Sequence, residues 1–313
     1  MEKNMPQICT DAVSVETAAR MLFGMYLQEM RHFAYLTPLS EQEFTERLQN
    51  ELTGSRVLTA LENGEITGIL FYHPHEAGAA CSIPVCGYYY RNEKILGRLF
   101  QKLAEIEVGD QGCSFSVGLY AHDATAICLY SMMQFGMISE KGIRRIEKYT
   151  CGTAQGYEFK HLSRCEVEAH WTEIWELTQS IIDHLKGSPV FYPCNEFTEE
   201  VYREFYLSPD TTVHAALDGS GRMVGIIETN RSEEMLLFPR GSSVNVGEAY
   251  VVRELRGSGL AAQLLFFAES YERAQGAAFS WVEHGTANPN ARGFWNKYFD
   301  TWQYEMVRKI EEI

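Results

Sequence analysis

The sequence predicts an α/β protein of the α+β type, in which two consecutive domains repeat one plan. A chain of 313 residues is long enough for two domains of ordinary size. Each half shows the same order of signals, two amphipathic helices followed by a β-hairpin. Segments of the two halves also align at a constant offset, and an internal duplication is the simplest account of both observations.

The first half opens with two helix signals. An amphipathic stretch runs from Ser14 to about Tyr35. Ser40 and Glu43 then have the S-x-x-E spacing of a capping box. The apolar residues that follow recur every four positions, as on one face of a helix: Phe44, Leu48 and Leu52.

Each half then carries a hairpin signal. In the first half, Asn63-Gly64 is the dipeptide typical of a type I′ turn, which needs positive φ at both central residues. In the second half, the turn is the Asp-Gly-Ser-Gly sequence at 218–221. The flanking apolar runs are 57–60 and 66–72 in the first half, and 213–217 and 224–228 in the second.

The second hairpin is also preceded by two helix signals. A helical stripe is formed by Trp171, Ile174, Ile181 and Leu185, and a second helix is predicted over Thr198 to Phe205. Between the halves, residues 150–156 (TCGTAQG) are small and polar without periodicity. We therefore predict domains at 1–152 and 153–313.

Charge and composition limit the partners. The net charge of −15 opposes phosphate backbones and anionic membranes, and no basic stripe with interleaved aromatics is present. We expect no nucleic-acid or membrane partner, and a cationic amine fits the charge better. No leader-like or spanning apolar run is found, and the eight cysteines form no C-x-x-C, so we expect a cytoplasmic protein with reduced thiols.

One cluster of residue types could suit a metal ion. His73 and His75 precede Cys81 and Cys86, and imidazole with thiolate can bind zinc. Their spacings match no common zinc pattern. No metal is predicted.

The most informative segment runs from Gly247 to Leu265 and reads as a strand, a glycine-containing turn and a helix. Arg256, Gly259 and Ala261 form R-x-x-G-x-A where that helix begins. Free N–H groups and the positive end of the helix dipole favour a phosphate there. A tight turn without a ligand is the alternative interpretation of this pattern alone.

A second motif follows at the expected distance. After a predicted strand over 278–283 come Asn288, Ala291, Phe294 and Trp295, close to N-x-x-A-x-x-L-Y. The two ordered motifs resemble those of the Gcn5-related N-acetyltransferase (GNAT) family. The resemblance implies two tandem GNAT domains, each with a mixed, mostly antiparallel sheet flanked by helices.

The resemblance also implies acetyl-CoA as co-substrate. Its pyrophosphate would lie on the turn from Arg256 to Ala261, and its pantetheine arm beside Val251. The implied cofactor-binding residues are Val251, Arg256, Gly257, Ser258, Gly259, Leu260, Ala261, Asn288 and Trp295.

The first half keeps this frame at an offset of 165 positions, which pairs Asp123 with Asn288 and Tyr130 with Trp295. Its phosphate turn differs, because Asn92, Lys94 and Leu96 stand in place of small residues. Such side chains would obstruct the close approach of phosphate to backbone. We therefore expect a degenerate first copy, with a second active site or a composite site as alternatives.

Direct attack of an amine on the thioester, which the family implies, needs a proton acceptor. Glu248 lies on the strand before the phosphate turn and is our candidate base; the alternative is a structural carboxylate. Glu283 and His284, at the end of the next strand, are rival candidates.

The family's tyrosine acid is replaced here by Trp295, whose indole cannot supply that proton. A thiol with a pKa of ~8.5 can leave without a strong acid. Tyr298 could substitute for the missing tyrosine, with core packing as its alternative role. Phe299-Asp300 also departs from the family's Gly-Phe, which puts the pocket wall in doubt.

The sequence therefore predicts an N-acetyltransferase that acts on a small-molecule or peptide amine. A non-catalytic acyl-CoA-binding regulator or scaffold is the alternative, favoured by the missing tyrosine. The acceptor, the acyl-chain preference and the oligomeric state stay open, a homodimer included.

Overall fold

The computed structural model describes residues 6–75, 80–109, 112–148, 156–232, 235, 237–238 and 243–311. The chain forms two compact units. The first unit comprises Met1–Glu140 together with Thr301–Ile313, and the second comprises Lys141–Asp300. The predicted linker lies outside the described residues, except for Gly156.

Four helices are described in the first unit: α1 (Val15–Met30), α2 (Glu41–Glu51), α3 (Glu93–Glu107) and α4 (Ala124–Met132). The first ends five residues earlier than the sequence predicts. The N–H groups of Arg31, His32 and Phe33 reach back three residues instead of four, to Gln28, Glu29 and Met30. Such bonds tighten and end a helix.

The strands of the first unit are β1 (Gln7–Thr10), β2 (Arg56–Glu62), β3 (Glu65–Tyr72), β4 (Cys81–Ile83), β5 (Tyr88–Tyr90), β6 (Cys113–Tyr120) and β13 (Asp300–Ile310). One group pairs in the order β1-β2-β3-β5, and another in the order β4-β6-β13. Only β4 and β6 run parallel among the pairs described here. Strand pairing in the first unit is therefore mixed and mostly antiparallel.

The last strand, β13, is built into the first unit. It pairs antiparallel with β6 from Gln303 opposite Tyr120 to Ile310 opposite Cys113. Its Trp302 is fully buried, with its ring 5.2 Å from that of Phe33. The predicted division of 1–152 and 153–313 puts these residues in the second domain, whereas their contacts place them with the first unit.

The second unit contains β8 (Tyr157–Leu162), β9 (Thr211–Asp218), β10 (Met223–Asn230), β11 (Ser243–Val251) and β12 (Phe279–Gly285). Its helices are α5 (Arg164–Ala169), α6 (Trp171–Lys186), α7 (Glu199–Tyr206), α8 (Leu260–Ala274) and α9 (Pro289–Trp295). The boundary between the units falls within β7 (Gly136–Arg145).

The sheet of the second unit has the order β12-β11-β10-β9-β8. All of these neighbours are antiparallel except β11 and β12, which run parallel. One apolar cluster includes Trp171, Ile174 and Tyr202 from α6 and α7. A second cluster includes Leu260 and Leu264 of α8, so helices contribute to two separate cores around the sheet.

Several local predictions are confirmed. Ser40 and Glu43 form the capping box that begins α2. Asn63 and Gly64 have φ values of 53° and 81°, as a type I′ turn requires. Asp123 and Asn288, the pair related by the duplication, each cap the helix that follows with their side chains.

Candidate functional site

The turn between β11 and α8 has the geometry of an open helix N-terminus. Gly257 and Gly259 have φ values of 82° and 87°, in the left-handed region that favours glycine. A Cβ at Gly257 would meet no atom within 4 Å. Gly259, the N-cap of α8, makes no side-chain cap hydrogen bond. Apart from the Leu260 N–H, which Ser258 Oγ accepts, the first N–H groups of this helix have no capping side chain.

Neighbouring side chains hold this turn in place. Ser258 Oγ donates to the Leu255 carbonyl at 2.6 Å and accepts the Leu260 N–H at 3.3 Å. The Leu260 side chain is buried, and Ala261 packs beside it against the same apolar cluster. The start of α8 is therefore fixed by the Ser258 hydrogen bonds and by packing against the apolar cluster.

Arg256 places its positive charge beside the end of β11. The guanidinium lies 5.2 Å from the centre of the Tyr250 ring, and its Nε donates to the Val251 carbonyl at 3.4 Å. The cation is thus held beside the end of β11, where it could meet an anion.

The parallel strands β11 and β12 diverge. In the described sheet, the pairing is limited to Ser243–Asn245 of β11 and Phe279–Trp281 of β12. Beyond these residues, β11 continues to Val251 and β12 to Gly285. The other edge of β11 stays paired with β10 up to Val251. The divergence leaves one backbone edge of β11 available for an extended ligand beside the glycine turn that leads into α8.

A β-bulge lies on β11 at the same level. Ile227 pairs with Ala249 and Thr229 with Val246, so β11 holds one residue more than β10 in this interval. Gly247 is in the bulge, and a Cβ there would come within 2.7 Å of the Glu228 carboxyl carbon. The bulge therefore needs glycine next to this buried carboxylate.

Glu248 is held by two contacts at the bulge. Its backbone N–H donates to Glu228 Oε2 at 3.0 Å, and its Oε1 accepts the Tyr202 hydroxyl at 3.2 Å. Burial raises the pKa of Glu248, and the Tyr202 hydrogen bond opposes that rise. Burial, and then the Glu248 charge, raises the pKa of Tyr202, so the tyrosine stays the proton donor in this bond.

The rival candidates have other surroundings. Glu283 is exposed and forms an ion pair with Lys141 at 3.2 Å. His284 is 8% exposed and lies on the opposite, buried side of β12. Of the three, Glu248 combines a carboxylate, a raised pKa and a position at the divergence of the strands.

Asn288 of the second motif is the N-cap of α9. Its Oδ1 accepts the N–H groups of Asn290 and Ala291 at 3.2 and 3.1 Å. The same oxygen lies 3.1 Å from Nε2 of His184, near the end of α6. The motif is thereby linked to the start of the α6–α7 loop.

The aromatic residues of α9 and the turn after it are packed. Trp295 is 6% exposed, with its ring 5.5 Å from that of Phe299. Tyr298 is partly buried, and its ring lies 5.5 Å from Phe266 and 5.9 Å from the Arg144 guanidinium carbon. These contacts account for both residues as core packing.

The first unit closes the corresponding positions with its own side chains. The Asn92 side chain caps α3 by accepting the N–H groups of Lys94 and Ile95. Tyr88, on β5, accepts the Tyr120 N–H at 3.3 Å and donates to Asp123 at 3.2 Å. The helix end and the space beside β6 are thus both occupied.

Three contributors were missed by the sequence analysis: Glu228, Tyr202 and His184. Each acts through a contact with a residue far away along the chain, and none stands in a recognisable motif. The only available signal was the position of Glu228 at the end of a predicted apolar strand, where an acid needs a partner.

The described residues contain no cluster of three or more His, Cys, Asp or Glu side chains suited to a metal ion. Their seven cysteines are free thiols. In the same part of the chain, no helix combines the length and apolar character needed to cross a bilayer.

Comparison with known proteins gives a family match within the second unit. Residues 170–300 match the model of the Acetyltransferase (GNAT) family. No curated protein sequence matches the chain.

Among solved structures, a GCN5-related N-acetyltransferase from Sphaerobacter thermophilus is similar with a TM-score of 0.54 and 12% identity, covering 97% of this chain and 96% of that one. The glucosamine N-acetyltransferase region of a fungal multi-domain GH3 β-N-acetylglucosaminidase gives 0.53 and 14%, covering 97% of this chain and 38% of that one. At these identities the similarity is one of fold. The chain carries a domain of the Acetyltransferase (GNAT) family at residues 170–300.

Proposed function

We propose that this protein is an N-acetyltransferase that moves an acetyl group from acetyl-CoA to an amine acceptor, with the cofactor held by the second domain. The observation that carries the proposal is the uncapped start of α8 behind two left-handed glycines, at the mouth of the diverging strands. Apart from the Leu260 N–H, which Ser258 Oγ accepts, no capping side chain would compete there with a phosphate.

The residues fit the parts of acetyl-CoA. The α8 N–H groups and Arg256 would hold the pyrophosphate, through the helix end and a fixed cation. The free edge of β11 up to Val251 would pair with the amides of the pantetheine arm. When bound, acetyl-CoA supplies an activated acetyl thioester.

Glu248 would take the proton of the attacking amine, directly or through a water. The amine nitrogen forms its bond to the acetyl carbon, the carbon–sulfur bond breaks, and the electron pair leaves with sulfur. Because its pKa is raised, the Glu248 carboxylate comes closer to the pKa that suits a general base. The Tyr202 hydroxyl orients the carboxylate, and Glu228 fixes the backbone that carries it.

The departing thiolate needs no strong acid from the protein, because a thiol with a pKa of ~8.5 is a good leaving group. Tyr298 remains our candidate for an acid, although its ring packs against Phe266. The first unit would not take acetyl-CoA, since Asn92 and Tyr88 fill the equivalent positions.

A non-catalytic acyl-CoA-binding protein is the second candidate. The buried Trp295 favours it, because an indole stands where the family has an acid. Detection of acetyl transfer to any amine would reject this second candidate and support the enzyme.

We further propose a cytoplasmic protein that works on a small-molecule or peptide amine, without nucleic-acid, membrane or metal requirements. Its net charge of −15 and its free thiols support this setting. A homodimer stays open.

Calorimetric titration of acetyl-CoA tests the proposal on the wild type and on Ser258→Glu. An acidic residue at this helix start favours the helix but repels a phosphate, so the fold should survive while affinity drops at least about tenfold. The duplication supplies the matched control, Glu93→Ser at the equivalent position of the first unit, which should bind like the wild type.

Binding of one acetyl-CoA per chain, weakened only by the change at Ser258, would support the cofactor placement. Absence of binding, or equal binding by wild type and Ser258→Glu, would refute it.

A further inference from the structure

The α6–α7 loop of the second unit exposes two adjacent aromatic rings. Phe191 is 70% exposed and Tyr192 is 52% exposed. Phe191 has a φ of 48°, a left-handed conformation rarely taken by a bulky residue. Exposed aromatic residues in a strained loop are often functional.

The loop is folded back on α6, which fixes these rings. The Tyr192 N–H donates to the Leu185 carbonyl at 2.8 Å, and the Phe191 N–H donates to the Gly187 carbonyl at 3.0 Å. His184, one residue before Leu185, is bonded to Asn288 of the second GNAT motif. The loop therefore starts beside the candidate active site.

From the exposed loop, aromatic rings continue inward in contact with each other. Tyr192 stacks on Phe197 with ring centres 5.9 Å apart. Phe197 meets Tyr202 edge-on, also at 5.9 Å. The Trp175 ring lies 6.1 Å from that of Tyr202. We call Tyr192, Phe197, Tyr202 and Trp175 the aromatic ladder.

The inner end of the ladder is acidic. The Tyr202 hydroxyl donates to Glu248, and the backbone of Glu248 is bonded to the buried carboxylate of Glu228. The ladder thus leads from the surface to a pair of carboxylates. A ring can stack on the outer part, while an ammonium group is attracted to the inner end.

We propose that the acceptor is a primary amine carried on an aromatic body, whose ring lies along the aromatic ladder while its amine reaches Glu248. This inference rests on the proposed acetyl transfer and goes beyond it by naming the acceptor class. Tyr192 and Phe197 are specificity-determining residues in this arrangement, and Glu248 is the residue that meets the amine.

The test compares 2-phenylethylamine with ethylamine, which has the same amine but no ring. Transfer is followed with the full chain by chromatographic detection of free CoA, and binding of each amine is measured by calorimetry with and without acetyl-CoA. We expect kcat/KM for 2-phenylethylamine to exceed that for ethylamine at least about tenfold, as ring stacking and burial would give.

Tyr192→Ala should remove most of this preference by lowering kcat/KM for 2-phenylethylamine, because the ring of that amine loses a stacking partner. Because Tyr192 is exposed, this variant should fold. Val201→Ala is the matched control, since Val201 is 53% exposed on α7 but stands outside the ladder. It should keep the wild-type preference.

Equal kcat/KM for the two amines, or a preference untouched by Tyr192→Ala, would overturn the inference and leave the proposed acetyl transfer standing. Failure to bind acetyl-CoA would overturn the proposed transfer. In that case, calorimetry of the two amines without acetyl-CoA would still test the acceptor site. If 2-phenylethylamine does not bind, or binds no more tightly than ethylamine, the role given to the aromatic ladder is rejected.

Discussion

The backbone N–H of Glu248 donates to the carboxylate of Glu228 at 3.0 Å, across a β-bulge whose other residue is Gly247. The buried carboxylate of Glu228 thus positions the main chain that carries Glu248. The arrangement depends on the absence of a side chain at Gly247, where a Cβ would contact the Glu228 carboxylate.

Gly247→Ala should therefore push the Glu228 carboxylate away from Glu248. We expect a loss of about 1–3 kcal/mol in the free energy of unfolding, together with reduced acetyl transfer. Urea denaturation and steady-state kinetics measure the two effects. Gly219→Ala, in an open hairpin turn with no atom near its Cβ, should change stability by no more than about 0.5 kcal/mol. Similar losses for both variants would contradict the role given to the bulge.

Glu248→Gln removes the proton acceptor but can keep the Tyr202 hydrogen bond. We expect kcat to fall about 10²–10⁴-fold, with an unchanged acetyl-CoA dissociation constant. Glu283→Gln, which removes a carboxylate paired with Lys141, is the control and should stay within a few-fold of wild type. A larger effect at Glu283 would move the base to β12.

The pH profile of kcat/KM tests the same carboxylate. Activity should rise with pH as Glu248 loses its proton, with a midpoint above the ordinary carboxyl pKa because burial raises the pKa of Glu248. The Tyr202 hydrogen bond stabilises the charged form, so Tyr202→Phe should move this acidic limb to still higher pH. A limb that stays in place would separate Tyr202 from the titrating group.

Acid should destabilise the second unit through His214. This residue is fully buried on β9, and burial lowers its pKa to about 3. Its Nε2 lies 3.1 Å from Thr229 Oγ1, which donates to Glu272 at 2.7 Å. His214 therefore donates from Nε2, and its Nδ1 accepts from His161 Nδ1 at 2.7 Å.

Because the unfolded chain binds the proton near pH 6.5 and the folded one does not, the contribution of His214 is full above pH 6.5. It is lost as pH falls from there toward about 3, at up to ~1.4 kcal/mol per pH unit. Urea denaturation between pH 8 and pH 4.5 should show a shallower pH dependence for His214→Gln than for wild type. His75→Gln, an exposed control, should keep the wild-type slope. Parallel curves for all three proteins would refute the prediction.

Local signals in the sequence were sufficient for much of the fold. The capping box at Ser40 and the Asn63-Gly64 turn depend on neighbouring residues only, so composition and spacing identify them. The duplication placed Asp123 and Asn288 correctly as equivalent residues, since both begin a helix as its cap.

Contacts between distant segments could not be read in the same way. The alternating apolar residues of β13, at 300–310, do not say which strand will be its neighbour. The bond between His184 and Asn288 joins residues from separate helices, and the Tyr202–Glu248 bond joins α7 to β11. The glycine turn before α8 could be recognised as a motif because it is one continuous segment, whereas the surroundings of Glu248 come from three segments.

The position of β13 bears on how the protein is made. The first unit includes Trp302 in its core and pairs β6 with Gln303–Ile310, so its native structure requires residues near the end of the printed sequence. Roughly 160 residues separate β7 from β13 along the chain. The ribosome synthesises from the N-terminus at about 5–20 residues per second, so β13 is made well after β7. For that interval β6 lacks its final partner and presents an open edge, which nascent-chain chaperones or premature pairing could reach. Synthesis of the second unit thus precedes completion of the first.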